Sequence, residues 1–272
     1  MKKLSEIEET MLGPLWARAV YSQKYPELLN DKRAIEIIDN VDYNFSELGN
    51  FLGEWRALGL MIRAKRFDEA VRKYIRKNPS TVVVNIGAGL DTTFSRIDNG
   101  NIKFYSLDLP DAIEFRTELI PSTEHNKNIA TSAFDYDWFR KIEFKRKEGI
   151  FFIAGGFMYY YGEKQISAFI NRLANQFPNG EFIFDAVSSL AQKIANKRAE
   201  KADSNLRFRL AIDDPYELIH QWSNKIEIKD CFILGNRVSS RKNWKLKTKI
   251  MNKISTWLKT ARIIQLKFLD KA

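Results

Sequence analysis

The chain has 272 residues, 44% of them hydrophobic and 29% charged, the balance of a globular protein with a sizeable core. No apolar run approaches the roughly 18 residues that would span a bilayer, and the N-terminal MKKLSEIEE follows its lysines with acids, so it does not read as a secretory signal. A single cysteine, Cys231, excludes an internal disulfide framework. With only His125 and His220 beside it, no metal site is expected, and the reading is cytoplasmic. The net charge of +10 is concentrated: from Arg241 to Ala272 there are ten Lys or Arg and one acid, Asp270, so that tail alone holds +9. The basic character therefore belongs to one segment, and no nucleic-acid partner is expected.

Residues 1–80 read as helical. Ser5 with Glu8 resembles a capping box. Pro14 interrupts the helix it opens, and Leu15 to Leu29 continues with mixed spacing. Asp31 is placed to cap Ala34 to Ile38, and Asp39 to Asn50 is polar and turn-like. Gly59 to Lys77 carries apolar residues, from Leu60 to Ile75, whose later members keep helical spacing. Asn78-Pro79 stops that helix. This region is expected to pack over the ligand-binding edge of a sheet.

From Thr81 the pattern changes. TVVVNI is a short β-branched run that reads as a buried parallel strand. It breaks into Gly87-Ala88-Gly89, where the chain can turn sharply and let a ligand approach the backbone. Ile102 to Leu107 is a second strand ending at Asp108, 21 residues after Gly87. Strand, glycine turn and helix, with an acid about 20 residues on, is the nucleotide-binding crossover, the acid being placed for ribose hydroxyls. The third position of the dinucleotide pattern is Thr92 instead of glycine, so the pattern suits S-adenosylmethionine better than NAD. An NAD-binding oxidoreductase, or an ordinary strand–turn–helix with a surface aspartate, are the alternatives at this point.

The alternation continues. A helix is expected over Asp91 to Asp98, another from Leu109-Pro110-Asp111 through Arg116, a third strand at Asn128 to Ala130, and a fourth, apolar throughout, at Gly149 to Ala154. An amphipathic helix over Lys164 to Phe177 precedes a fifth strand, Glu181 to Val187. Residues 190–224 look helical and polar, broken at Asp213-Asp214-Pro215. Ile226 to Leu234 and Ala261 to Phe268 are late strands with a helix between them. Leu246, Ile250, Met251, Ile254, Trp257, Leu258 and Ala261 recur at helical spacing among lysines. That helix is expected to pack on the sheet edge; the sharper alternative has its lysine face meeting an anionic membrane surface. The expected fold is α/β, a doubly wound Rossmann-like sheet of seven strands with the last antiparallel and an N-terminal helical extension. Residues 1–80 would form a helical cap and 81–272 the cofactor domain, with a helical lid at about 190–224.

Several stretches together resemble one family. They are Gly87-Ala88-Gly89-Leu90-Asp91-Thr92, Leu107-Asp108-Leu109-Pro110-Asp111, Asp135 with Trp138 close behind, and Ala154-Gly155-Gly156 running into Tyr160. In this order they resemble the leucine carboxyl methyltransferase family, especially its prokaryotic polyketide-synthesis O-methyltransferase branch, from about Thr10 to Ser188 and more loosely to the C-terminus. The resemblance implies a class I methyltransferase sheet and dependence on S-adenosylmethionine. Gly87 and Gly89 would lie under the methionine part of the cofactor. Asp108, followed by Leu109, would bind the ribose, and Asp135 and Tyr136 would meet the adenine. Arg63 would pair with the cofactor carboxylate, with Arg18 a second candidate for that anchor. The family commonly has a glutamate where this chain has Gly155. Tyr160 and Trp138 are the expected acceptor contacts, within an aromatic-rich set that includes Tyr136, Phe157, Tyr159 and Tyr161. The expected reaction is methylation of a carboxylate or acidic hydroxyl on a small aromatic or polyketide-like acceptor, with no metal and no catalytic base evident. A protein carboxyl acceptor and a non-catalytic cofactor- or membrane-binding protein are the alternatives.

Overall fold

The computed structural model describes residues 6–238 and 242–270, with side chains described from residue 10. Three helices come first: α1 (Glu6–Lys24), α2 (Lys32–Asn40) and α3 (Phe45–Ile75). They are followed by β1 (Val82–Ile86), α4 (Thr93–Ile97), β2 (Lys103–Asp108), α5 (Pro110–Leu119), β3 (Asn126–Ala130) and β4 (Ile150–Ala154). Then come α6 (Glu163–Gln176), β5 (Glu181–Val187), α7 (Ser189–Lys201), α8 (Pro215–Trp222), β6 (Ile226–Ile233), α9 (Leu246–Trp257) and β7 (Ala261–Phe268). The strands form one sheet in the order β3-β2-β1-β4-β5-β7-β6. The first five are parallel, and β7 runs antiparallel to both β5 and β6. This is the expected doubly wound sheet.

Every residue of β1 and β4 is buried, which is why their sequences are apolar runs without alternation. Val82, Val84 and Phe152 face α6 and α8, where Phe169, Ile170, Leu173 and Ile219 complete the larger core. Val83, Phe151 and Ile153 face α3 and α4, against Phe67, Val71 and Ile97. The strand order reverses at β1 and β4, so their carboxyl ends open the crevice in which such sheets place ligands. No helix among the described residues is long and apolar enough to cross a membrane.

Four local expectations change. α1 runs straight through Pro14; the missing donor costs a hydrogen bond, but Leu12 and Leu15 on either side are fully buried, and that packing holds the helix. α3 begins at Phe45, capped by the Asn44 side chain on the Ser46 amide, and bends at Gly53 with φ 60°. Asp39–Asn50 is thus partly helical, because an Asx cap looks like a turn in sequence. The helix after β1 is only Thr93–Ile97. Between α7 and α8 the chain turns at 202–203 and residues 204–212 form no helix, with Ile212 N–H bonded to Val187 O at 2.8 Å and Arg209 N–H to Tyr159 O at 2.6 Å. The capping box expected at Ser5 and Glu8 falls outside the described side chains.

The helices are joined by buried charge. Asp31 caps α2 through Ala34 N at 3.0 Å, as expected. Its other oxygen accepts from Arg18 Nε at 2.9 Å, Arg96 at 2.6 Å and the Thr92 hydroxyl at 2.6 Å. Arg96 also forks onto Asp68 of α3 at 2.7 and 3.0 Å. Burial opposes the charge on Arg96, but Asp68 and Asp31 outweigh it and raise its pKa. Removing one partner of a buried cluster strands the others. Asp31→Ala is therefore expected to cost about 3–5 kcal/mol in urea unfolding; a loss under about 1 kcal/mol would show that Arg18 and Arg96 do not depend on it.

Candidate active site

The glycine turn opens at the end of β1. Gly87 has φ 65° and Gly89 φ 44°, a region that L side chains adopt only with strain. A Cβ at Gly87 would lie 2.6 Å from the Phe157 ring, and one at Gly89 3.1 Å from Met11. The turn's carbonyls are held from behind. Arg18 donates to Leu90 O at 2.8 Å, and Arg116 to Gly89 O and Asp91 O, both at 2.8 Å. Arg116 is buried, which lowers its pKa to about 10 although Asp91 and Asp108 favour the charge; it remains a cation at neutral pH. Asp108, at the tip of β2, accepts from Gly89 N and Leu109 N, each at 2.8 Å. Burial raises its pKa despite these two amides.

Beyond the turn lies a cavity of about 670 Å³. Its floor is Gly87 to Asp91 with Asp108. α1 contributes Met11, Pro14 and Arg18, and α3 contributes Leu60 and Arg63. The segment after β4 contributes Gly155 to Phe157 and Tyr159 to Tyr161, and the non-helical roof contributes Asn205 to Arg207 and Arg209.

Arg63 bonds Asp185 at 2.9 Å. Burial works against its charge, but Asp185 outweighs that and raises the guanidinium pKa. The other Asp185 oxygen accepts from Gly156 N at 2.6 Å. A Cβ at Gly155 would approach Phe67 to 3.1 Å, and one at Gly156 would approach Arg63 to 3.1 Å. Bare backbone after β4 therefore makes room for Arg63. Asn85, on the α3 face of β1, is 2% exposed and lines the cavity, and its amide nitrogen has no hydrogen-bond partner among the described residues.

Seven of the expected residues, Arg63, Gly87, Gly89, Asp108, Leu109, Gly155 and Tyr160, meet around this one cavity, and Arg18 lines it too. The Arg18 guanidinium is engaged by Asp31 and Leu90, so it braces the turn. Three do not line the cavity. Asp135 is exposed and caps a short 3-10 turn through Asp137 N. Tyr136 packs on Phe139 and Phe169 beneath Arg172. Trp138 is 0% exposed, bonded to Ala133 O at 3.0 Å, and lies in the core against Phe139 and Phe152. The expectation that it contacts an acceptor is corrected: its indole is one wall of the sheet packing. Asn85, Asp185, Arg207 and Arg209 were not expected. An asparagine inside an otherwise apolar strand is a signal a sequence can carry; the other three are assembled only by the fold.

Comparison with known proteins bears on this geometry. Residues 11–174 match the model of the leucine carboxyl methyltransferase family. The chain belongs to that family. It is an S-adenosylmethionine-dependent methyltransferase. It is 27% identical over 217 residues to the tetracenomycin polyketide synthesis O-methyltransferase of Streptomyces glaucescens, covering 79% of each chain. It is 24% identical over 233 residues to an S-adenosyl-L-methionine-dependent methyltransferase of Gibberella zeae, covering 79% of this chain and 78% of that one. Among solved structures, a DUF574 family protein from Streptomyces avermitilis shares the fold with a TM-score of 0.60 at 12% identity, over 86% of this chain and 94% of that one.

The cavity of this methyltransferase fits the cofactor. Its volume lies within the range of small-molecule sites. Each Asp108 oxygen accepts only one amide, which leaves lone pairs for two hydroxyls. Arg63 offers further N–H groups, and the Asn85 amide, without a partner among the described residues, is a buried donor at the cavity wall. The crowding at Gly87 is testable without any ligand. Gly87→Ala is expected to destabilise the fold by roughly 1–3 kcal/mol through strained φ and the clash with Phe157. Adding Phe157→Ala should relieve only the clash. A Gly87→Ala variant as stable as the parent in urea would contradict the turn geometry.

Proposed function

We propose that this methyltransferase transfers the cofactor methyl to a carboxylate oxygen of a small aromatic, polyketide-like acid, and that it works in the cytoplasm. The observation that carries the reading is the roof. Arg207 bonds only the carbonyls of Ser204 and Leu206, and Arg209 has no side-chain partner, so neither guanidinium meets a carboxylate among the described residues. Both line the cavity beside Tyr159 and Tyr160, whose rings pack with Phe208 of the roof. Arginine next to aromatic walls suits a planar anion.

Bound at the glycine turn, S-adenosylmethionine supplies a methyl group that is already a strong electrophile. The protein then has to align more than to activate, and alignment alone can be worth roughly 7–11 kcal/mol. A carboxylate is ionised at pH 7 and needs no base, whereas a phenol with a pKa near 10 would benefit from one. Neither His125 nor His220 lines the cavity. Burial raises the pKa values of Tyr159, Tyr160 and Tyr161, so these hydroxyls stay protonated and can donate a hydrogen bond but cannot take a proton at neutral pH. Under this reading Asp108 holds the ribose, and Arg63 with Asn85 holds the methionine carboxylate.

Two measurements test it. Asp108→Ala is expected to weaken cofactor binding by about 2–3 kcal/mol, since it removes a charge-assisted acceptor; unchanged affinity in calorimetry would sink that assignment. With a panel of aromatic acids and matching phenols, Arg207→Ala and Arg209→Ala should raise KM for the acids about tenfold to a hundredfold and leave the phenols unaffected. For the acids, kcat should stay flat from pH 6 to 9. A rate that climbs through pH 7 and disappears on replacing His125 or His220 would reveal a base and overturn the carboxylate reading.

A further inference from the structure

We propose that the outward face of α9, together with the start of α7, docks on an anionic lipid surface. α9 is turned inside out. Its deeply buried side chains are polar: Thr248 at 3% and Asn252 at 7% exposure. Thr248 Oγ1 donates to Glu54 at 2.6 Å, and the Lys245 amide donates to the same carboxylate at 3.1 Å. Glu54 also accepts from Lys24 and Tyr25, both at 2.8 Å. Burial pushes the Glu54 pKa up, but these four donors prevail and lower it to about 2, so the carboxylate is a permanent anchor for the polar side. Just before the helix, Trp244 is buried with Leu58 and Met61, which fixes the rotation of α9 over α3.

The apolar side consequently faces out. Leu246 is 73% exposed, Ile250 47%, Ile254 44% and Trp257 80%. Steps of four, four and three place them in one stripe along the helix. Instead of covering the sheet edge with this stripe, α9 rests on α3 through its polar side. The stripe is flanked by cations: residues 242–259 contain six lysines and no Asp or Glu. Ser188 N bonds Thr260 O at 3.1 Å, which brings the start of α7 to the end of α9. There Leu190 and Ile194 are each 41% exposed, with Lys193 and Lys197 also exposed.

An exposed apolar stripe on a helix, rimmed by lysines and ending in an exposed tryptophan, is the pattern of an interfacial helix. A second copy of the chain would set six lysines against six, whereas an anionic leaflet is complementary to them. This surface is separate from the methyl-transfer cavity, so its failure would leave the proposed reaction standing.

The test uses the full-length protein with extruded vesicles of phosphatidylcholine, with and without phosphatidylserine. Binding is expected only with phosphatidylserine, falling about tenfold between low and high salt. Trp257→Ser and the pair Lys247→Glu/Lys253→Glu should each abolish co-sedimentation without changing the urea midpoint or methyl transfer to a soluble acceptor, because all three positions are on the surface. Equal binding to both vesicle types, binding insensitive to these variants, or no binding at all would overturn the proposal. So would a concentration-dependent dimer that Trp257→Ser dissolves, since a second copy would then be what covers the stripe.

Discussion

Asp31 accepts four hydrogen bonds while fully buried, and the partners come from α1, α2, α4 and the residue that caps α4. The shape of the cofactor turn depends on this one carboxylate. Through Arg18 it fixes α1, and Arg18 in turn holds Leu90 O. Through Arg96 it fixes α4, and Arg96 reaches on to Asp68 in α3. Arg116, from α5, closes the set by taking the carbonyls on either side of Leu90. Replacing buried ion clusters with apolar side chains is often neutral in stability. What apolar groups could not do here is bond three consecutive carbonyls. The network is therefore best understood as the mould of the turn, and the N-terminal helices as part of the site and not a separate covering.

The parts of this arrangement legible in the sequence are those whose signals are local. The buried runs of β1 and β4, the glycine turn and the acid ending β2 each show themselves within a few residues, and a doubly wound sheet of seven strands with the last antiparallel followed. Asp31 was legible as a helix cap, because a cap bonds its own backbone neighbours. Its second oxygen was not, since its partners Arg18, Thr92 and Arg96 are up to 65 residues away. The aromatic cluster misled for the same reason. Trp138 and Tyr160 are both aromatics near strand tips, and only packing decides that one indole is sealed in the core while the other ring faces the cavity. The roof was read as helical because its polar composition lacks a strand alternation; it is held by side chains such as Asn196, which bonds both N–H and C=O of Phe208. α9 shows the limit of periodicity. The spacing of its apolar residues was right, but spacing cannot say which side faces in, and Glu54 decides it.

Gly155, where the family resemblance leads one to expect a glutamate, becomes intelligible in the same terms. A side chain at 155 would press on Phe67 and crowd Arg63. The acid is found one strand over, as Asp185 on β5, paired with Arg63 and bonded to the Gly156 amide. The acid beside Gly155 and Gly156 is thus supplied by β5, with Arg63 lying across the gap. Arg63 and Asp185 balance each other's charge there, and the backbone after β4 can approach more closely than any residue with a Cβ would allow.

That balance has a consequence for turnover. The acids of the cavity, Asp91 and Asp108, gather at the glycine turn, and Arg207 and Arg209, which meet no carboxylate among the described residues, stand at the roof. On the carboxylate reading, the acceptor arrives as an anion and is held by the roof against tyrosines that burial keeps neutral. Methylation turns that carboxylate into an ester, which carries no charge and accepts only weak hydrogen bonds. The guanidinium groups that oriented the substrate then hold the product less well by the difference between a charge-assisted and a neutral contact, on the order of 1 kcal/mol each. The same two side chains thus favour entry of the acid and exit of the ester, and no moving part is needed to tell them apart.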